Sequence, residues 1–208
     1  MLDAKLRQVI DPPMTAVAGL LTRAPITANQ VTILGFVVGL TTIPLLATQH
    51  YLLAALAILI NRLFDGLDGA IARQRGISDA GGYLDIVLDF IFYSAVVFGF
   101  ALGHPSQAVY ASFLIFSFIG TGASFLAFAV FAAKHKLSTQ ARGKKSIYYL
   151  GGLSEGFETI VALLLICIAP QWFWLTASVF GVMCWITTLF RVLSSFQLLQ
   201  SIQRNSTD

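Results

Sequence analysis

Half of the ten acidic residues in this chain fall in one short window that also carries several glycines. Asp65 and Asp68 are three residues apart, and Asp85 and Asp89 are four apart, so each pair lies on one face of a helix. Four carboxylates that converge in a low dielectric cannot all ionise without a countercharge. Two hard divalent cations, Mg²⁺ or Mn²⁺, would supply it through oxygen ligands, and phosphate oxygens commonly fill the remaining coordination positions. The spacing therefore indicates metal-assisted phosphate chemistry.

A carboxylate-based proton or ion transporter is the alternative interpretation of the same aspartates, because intramembrane acids often form relays or ion paths. A relay usually needs one or two acids per path, and the sequence has no evident broken helix or inverted repeat. Gly66, Gly69 and Gly81 beside the aspartates would leave room for a bulky group, although close helix packing explains them equally well. Arg73 is placed to meet a phosphate at the membrane surface.

The composition shows what kind of solvent surrounds these residues. Hydrophobic residues make up 57% of the 208 residues, charged residues only 11%, and the mean hydropathy is +0.79. A soluble domain would carry about a quarter of its residues as charged ones. Water-soluble enzymes, nucleic-acid-binding proteins and disordered tails are therefore excluded, and the chain is expected in a lipid bilayer.

Apolar runs of roughly 20 residues, the length that spans a bilayer, predict six transmembrane helices. They cover residues 31–48, 51–73, 81–102, 107–133, 150–169 and 171–195. The predicted fold is an all-α integral membrane bundle in a single domain, residues 1–208. Its six transmembrane helices occupy 31–200, and an N-terminal interfacial amphipathic helix with its lead-in occupies 1–30. A frayed tail describes residues 1–13 equally well.

Basic residues predict the orientation of this bundle. Twelve of the 13 Lys and Arg residues fall on one side of the predicted helices. The chain is therefore expected in a bacterial inner membrane. Both termini and the end of the bundle that carries the aspartates are expected on its cytoplasmic side. At 1.5 Å per residue, Asp65 and Asp89 each lie roughly 12 Å below that surface, and Asp68 and Asp85 roughly 6–8 Å below it. The two pairs thus match in depth on adjacent antiparallel helices.

One extended pattern carries a resemblance to a known family. The chain reads Asp65-x-x-Asp68-Gly69-x-x-Ala72-Arg73, then seven residues, then Gly81-x-x-x-Asp85-x-x-x-Asp89. It resembles the CDP-alcohol phosphotransferase (CDP-alcohol phosphatidyltransferase) family, and every fixed position of that motif is filled. The resemblance implies that a lipid alcohol displaces CMP from a CDP-linked donor, usually CDP-diacylglycerol, by attack on the β-phosphate. It also suggests a homodimer, and no nucleic-acid partner is expected.

The resemblance further implies roles for individual residues. Asp65, Asp68 and Asp85 would be metal ligands, while Asp89 would complete the second metal site and act as the general base. The positions that match the family's CDP-binding pocket are Gly69, Ala72, Arg73 and Gly81, with Asn29 and Thr32 in a weaker Asn-x-x-Thr motif. For that weaker motif, a helix N-cap at Thr27 or Asn29 is an equally good explanation.

The sequence does not fix the identity of the acceptor alcohol. The candidates are glycerol phosphate, inositol phosphate and a non-phosphorylated amino alcohol or polyol. Phe90 follows the last aspartate, where members of the family with phosphorylated acceptors often have Lys or Arg. The cytoplasmic basic residues could bind an acceptor phosphate or simply follow the positive-inside rule. Weak acceptor-binding candidates are Lys144, Arg191, Glu155 and Glu158. The two glutamates could equally pair with Arg62 or Lys145.

Overall fold

The computed structural model describes residues 14–15, 17–19, 26–135, 137 and 153–205. These residues form helices, turns and short connections, with no strand among them. Seven α-helices are α1 (Ala28–Leu40), α2 (Thr42–Ala47), α3 (Tyr51–Arg75), α4 (Asp79–Gly103), α5 (Ala108–Lys134), α6 (Gly156–Ile168) and α7 (Phe173–Asn205). The interfacial helix predicted at the N-terminus falls largely outside the described residues, although 14–15 and 17–19 are helical.

Four segments in the described part of the chain are long and apolar enough to cross a membrane. They are Ala28–Ala47, Asp79–Gly103, Pro105–Lys134 and Pro170–Arg204. The all-α integral membrane fold is therefore confirmed. Helix α3 has 25 residues, but Arg62, Asp65 and Asp68 interrupt its apolar stretch. Helix α6 has 13 residues, about 20 Å, against a hydrocarbon core of about 30 Å. The count of six spans stays a prediction.

The first predicted span consists of two helices, α1 and α2, that meet at Thr41. Pro44 causes this break, because it has no N–H to donate to the carbonyl of Leu40. The hydroxyl of Thr42 donates to the carbonyl of Gly39 over 2.6 Å. The carbonyl groups at the break are thus satisfied in part by side chains.

The fifth predicted span begins later than expected. Residues 153–155 precede α6 rather than belonging to it. The backbone N–H groups of Leu153 and Ser154 both donate to the hydroxyl of Thr187, over 3.0 and 3.1 Å. Glu155 is the N-cap and forms a capping box with Glu158, so the helix starts at Gly156.

Helices α3 and α4 each pack against several other helices of the bundle. Helices α1 and α2 pack against both of them, α6 packs against α3, α4 and α7, and α5 packs along α7. The core contains fully buried Phe92, Phe100 and Phe173, and the last two rings stack with centroids 4.0 Å apart. The two helices that carry the aspartate pairs are therefore held from several sides.

The ends of α3 and α4 remote from the aspartates are joined by polar side chains. The hydroxyl of Tyr51, at the start of α3, lies 3.0 Å from Nε2 of His104. The His104 ring stacks on Phe100 with centroids 4.6 Å apart. Gln49 donates from Nε2 to the carbonyl of Gly103 over 3.3 Å. These contacts fix how α3 and α4 meet at this end.

Gly99 allows α4 to approach the backbone of α2. A Cβ added at this position would lie 2.8 Å from Cα of Ile43 and 3.0 Å from its carbonyl oxygen. We therefore expect Gly99→Ala to destabilise the protein by about 1–3 kcal/mol. The melting temperature in detergent should fall by several degrees.

Gly82→Ala is the matched control on the same helix. Nothing lies within 4 Å of a Cβ at residue 82, so the higher helix propensity of alanine should leave the melting temperature equal or raise it. Equal melting temperatures for Gly99→Ala and the wild type would show that α2 shifts enough to accommodate the added methyl group.

Candidate active site

Three aspartates from α3 and α4 converge on one point. Asp65, Asp68 and Asp85 each offer a carboxylate oxygen, and these oxygens all lie within 4.8 Å of one another. We call these three residues the carboxylate cluster. Asp68 is its most buried member, with 6% of its surface exposed. Its Oδ2 is buried and has no hydrogen-bond partner among the described residues.

The short connection between α3 and α4 brings the two aspartate pairs to the same level. Helix α3 ends at Arg75, and Gly76 follows with φ of 114°, a conformation that favours glycine. Ser78 then caps α4, its hydroxyl accepting from the N–H of Gly81 over 3.1 Å. The chain reverses within three residues, so the aspartates face one another across the two antiparallel helices.

Asp89 lies beside the carboxylate cluster but is not a member of it. Its Oδ1 accepts a hydrogen bond from Nη2 of Arg62 over 2.6 Å. Its Oδ2 accepts from the Tyr93 hydroxyl over 2.8 Å and from Nη1 of Arg62 over 3.3 Å. Both oxygens of this carboxylate are thus held by side chains of the protein.

The carboxylate cluster and Asp89 line one cavity, whose wall also includes Thr32, Phe36 and Leu88. The donors that face it from the cluster are all carboxylate oxygens, the ligands that Mg²⁺ and Mn²⁺ prefer. The buried, unpartnered Oδ2 of Asp68 needs a positive partner. The residues present therefore fit a divalent cation.

Side chains of α1 lie in the wall of this cavity or next to the motif. A Cβ at Gly81 would lie 3.0 Å from Oδ1 of Asn29, so Asn29 packs against the glycine of the motif. Thr27 is the N-cap of α1, since its hydroxyl accepts from the N–H of Gln30 over 3.3 Å. Capping therefore explains Thr27 and does not account for Asn29. Thr32 lines the cavity, while its hydroxyl donates to the carbonyl of Ala28 over 3.1 Å.

The remaining residues of the motif lie on α3, towards its carboxyl end. Gly69 and Ala72 are partly buried, and Arg73 is exposed. A Cβ at Gly69 would lie 3.4 Å from Nη1 of Arg73. The guanidinium thus lies over the glycine, about one helical turn beyond Asp68.

Residues 25–193 match the family model described as CDP-alcohol phosphatidyltransferase. The chain belongs to this family. The inner membrane protein YnjF of Escherichia coli strain K12 is 50% identical over 205 residues, which cover 98% of this chain and 100% of that protein. The archaetidylinositol phosphate synthase of Pyrococcus horikoshii is 35% identical over 101 residues, covering 48% of this chain and 54% of that protein.

A solved structure shows the same fold for another protein. The phosphatidylinositol phosphate synthase of Mycobacterium tuberculosis with CDP-DAG bound aligns with a TM-score of 0.64 and 23% identity, covering 88% of this chain and 93% of that chain. The same synthase in complex with manganese and citrate also aligns with a TM-score of 0.64. The resemblance predicted from the aspartate motif is confirmed, and this chain is a membrane enzyme of the CDP-alcohol phosphatidyltransferase family.

The structure describes three of the weak acceptor-binding candidates of this phosphatidyltransferase: Glu155 and Glu158 lie at the start of α6, and Arg191 on α7 interacts electrostatically with Glu155. The backbone N–H of Glu155 donates to Oε2 of Glu158 over 3.1 Å, which gives Glu158 a capping role at the start of α6. Arg191 on α7 donates to the carbonyl of Thr121 over 3.3 Å and lies 5.7 Å from the ring centroid of Phe125. Lys144 and Lys145 lie outside the described residues.

Arg62 of the phosphatidyltransferase does not pair with either glutamate in the described part of the chain. Its ion pairs are with Asp89 at 2.6 Å and with Asp65 at 3.5 Å. Arg62 and Tyr93 lie outside the aspartate motif, yet both contact Asp89.

Proposed function

We propose that this protein transfers a phosphatidyl group from a CDP-linked lipid, CDP-diacylglycerol by preference, to an alcohol, and releases CMP in phospholipid biosynthesis. The observation that carries the proposal is the carboxylate cluster of Asp65, Asp68 and Asp85 in one cavity with Asp89. CDP-DAG as the donor is supported by the solved relative that has it bound. A transporter would not need a cluster of three carboxylates beside a fourth held separately.

We propose two divalent ions, Mg²⁺ or Mn²⁺, for this site. When bound, they neutralise the diphosphate of the donor and hold it for in-line displacement. Asp65, Asp68 and Asp85 would be ligands, and Asp89 could complete the second site only if one of its oxygens left Arg62 or Tyr93. The CDP group would be bound by Gly69, Ala72, Arg73 and Gly81, with Asn29 and Thr32.

In the reaction that we propose, Asp89 accepts the proton of the acceptor hydroxyl. The acceptor oxygen then forms a bond to the β-phosphorus of the donor. The bond from that phosphorus to the oxygen that bridges to the α-phosphate breaks, and CMP leaves with this oxygen and its electron pair. Phe36 and Leu88 give the cavity an apolar wall that limits the access of competing water.

We propose a topology in which six helices span the membrane and both termini and the active site face the cytoplasm. The concentration of Lys and Arg on one side of the helices supports it. An inner membrane location is supported by the 50% identical relative that is named an inner membrane protein. The homodimer is proposed from the family resemblance alone.

Inositol phosphate is the acceptor that we propose to test first. Its support is in the names of two relatives, an archaetidylinositol phosphate synthase and a phosphatidylinositol phosphate synthase. Arg191 and Lys144 could bind the phosphate, and Glu155 and Glu158 the hydroxyls. Phe90 after the last aspartate argues against a phosphorylated acceptor, so glycerol phosphate, amino alcohols and polyols belong in the same panel.

Release of CMP is the measurement that tests the proposal. Purified protein in lipid nanodiscs, supplied with CDP-diacylglycerol, Mg²⁺ or Mn²⁺ and each acceptor in turn, should release CMP and form a new lipid detected by mass spectrometry. Chelation should abolish both signals. A folded protein that released no CMP with any acceptor, but moved protons across proteoliposomes, would overturn the proposal in favour of a transporter.

A further inference from the structure

The end of α3 is bonded to the segment that leads into α1, which the structure describes at residues 14–15, 17–19 and 26. We call these described residues the lead-in. Nη1 of Arg75 donates to the carbonyl oxygen of Ile26 over 2.6 Å, and Nε2 of Gln74 donates to that of Thr15 over 3.1 Å. The partners are 49 and 59 residues apart in the chain, so these bonds join separate elements. The Arg75 bond is the stronger type, because its donor is charged.

The lead-in also packs against the face of α3 that points away from the aspartates. Fully buried Ala18 belongs to one apolar cluster with residues of α3. The buried α3 residues of that cluster are Leu67, Ala70 and Ile71. Helical periodicity places them on the side opposite Asp65 and Ala72. A Cβ at Gly66 would lie 3.7 Å from Sδ of Met14. The half of α3 that carries the motif therefore has the lead-in on one side and the cavity on the other.

The bond between Arg75 and Ile26 joins the two segments that carry the residues proposed to bind CDP. Ile26 lies three residues before Asn29 at the start of α1, and Arg75 lies two residues after Arg73 at the end of α3. Oδ1 of Asn29 lies 3.0 Å from the position of a Cβ at Gly81, so α1 packs closely against the motif. A shift of the start of α1 would therefore move Asn29 relative to both Gly81 and Arg73.

We propose that Arg75 is a positioning residue for the CDP-linked donor. By bonding to the backbone just before α1, it sets the distance between the two segments that bind the CDP group. The proposal rests on the function proposed above, and it adds a residue that lies outside the aspartate motif. Loss of Arg75 should weaken donor binding and leave the chemical step intact, because the carboxylate cluster is positioned by α3, α4 and the turn between them.

Arg75→Met retains most of the side-chain length and removes every donor. The KM for CDP-diacylglycerol should rise about tenfold, the value of one hydrogen bond from a charged group. At saturating donor, kcat and the KM for the acceptor should stay at their wild-type values. Arg75→Lys should recover part of the donor affinity, since an ammonium group can donate to the same carbonyl. An unchanged KM for the donor in Arg75→Met, or a fall in kcat without a rise in KM, would overturn the proposal.

Arg204→Met is the matched control, because it removes an exposed arginine near the end of α7. It should leave the KM for the donor unchanged. An equal rise in both variants would show that only the net charge matters and would contradict the positioning role. The ratio between Arg75→Met and the wild type should also persist at high salt, which screens long-range attraction of the anionic donor. A ratio that vanished there would likewise count against the proposal.

A binding measurement separates positioning from general support of the fold. Calorimetric titration of the purified protein with CDP and Mg²⁺ should show weaker binding to Arg75→Met by a factor similar to the rise in KM. Failure of every Arg75 variant to fold would make Arg75 a support of the fold and overturn the proposal.

The two proposals fail in different ways. A wild-type protein that binds CDP but releases no CMP with any acceptor would refute the proposed function. An active wild type whose Arg75 variants keep the wild-type KM for the donor would refute the positioning role alone.

Discussion

Asp68→Asn should lower the rate of CMP release from CDP-diacylglycerol at least ~10³-fold, which corresponds to about 4 kcal/mol of lost transition-state stabilisation. Asp68 is the most buried member of the carboxylate cluster, and its Oδ2 has no hydrogen-bond partner among the described residues. Asparagine replaces a charged oxygen by an uncharged NH₂ group, which cannot bind a hard cation. Binding of Mn²⁺ to the purified variant should weaken together with the activity.

Asp79→Asn is the control for this variant. Asp79 lies in the same acidic window, but it is exposed at the start of α4 and outside the motif. This change should leave most of the activity and the Mn²⁺ affinity. Wild-type Mn²⁺ binding by Asp68→Asn would show that the carboxylate cluster is not the metal site.

Asp89→Asn should produce a different loss. General bases typically contribute 10²–10⁴-fold, so kcat should fall by about that factor. Asparagine is nearly isosteric, and its carbonyl oxygen can still accept from Arg62, so the fold should be preserved. Binding of the first Mn²⁺ should persist, because the oxygens of Asp65, Asp68 and Asp85 remain within 4.8 Å of one another.

The two aspartate variants are best compared in one series. Steady-state kinetics gives kcat and KM for the donor, and paramagnetic resonance gives Mn²⁺ affinity for the same preparations. Near-normal turnover of Asp89→Asn would refute its assignment as the base. A complete loss of Mn²⁺ binding would instead place Asp89 among the ligands of the first ion.

The aspartate spacing was sufficient to predict the helices and the convergence of their acidic residues. Helical periodicity fixes the face on which each pair lies, and the apolar runs fix the depth. The structure brings Asp65, Asp68 and Asp85 together as this reasoning expects. Such local rules succeed here because α3 and α4 are long, adjacent in sequence and joined by only three residues.

The same reasoning about depth only narrows the choice of partner for Arg62. Asp65 and Asp89 are expected at one level, so Arg62, one turn deeper on α3, lies level with Tyr93, one turn deeper on α4. Side-chain direction then decides the contact, and Arg62 reaches Asp89 over 2.6 Å. Spacing alone does not contain that direction, because it depends on how Asn61 orients the guanidinium.

Elements controlled by contacts between distant parts of the chain were harder to predict. The segment before α6 is held by hydrogen bonds from Leu153 and Ser154 to Thr187, more than 30 residues away. No periodicity in the residues around 150 carries this information. Pro44, by contrast, is a local signal for the break between α1 and α2, which the single span predicted over 31–48 did not include.

The contact between Tyr51 and His104 links α3 and α4 at the end remote from the aspartates. Asp85 lies 18 residues from Gly103, about 27 Å along α4, so one degree of splay between the helices would move its carboxylate by about 0.5 Å. Metal–ligand distances tolerate only about 0.2 Å. The angle between the two helices therefore bears directly on the spacing of the carboxylate cluster, and the packing of α1, α2 and α6 against both helices holds that angle together with the Tyr51–His104 contact.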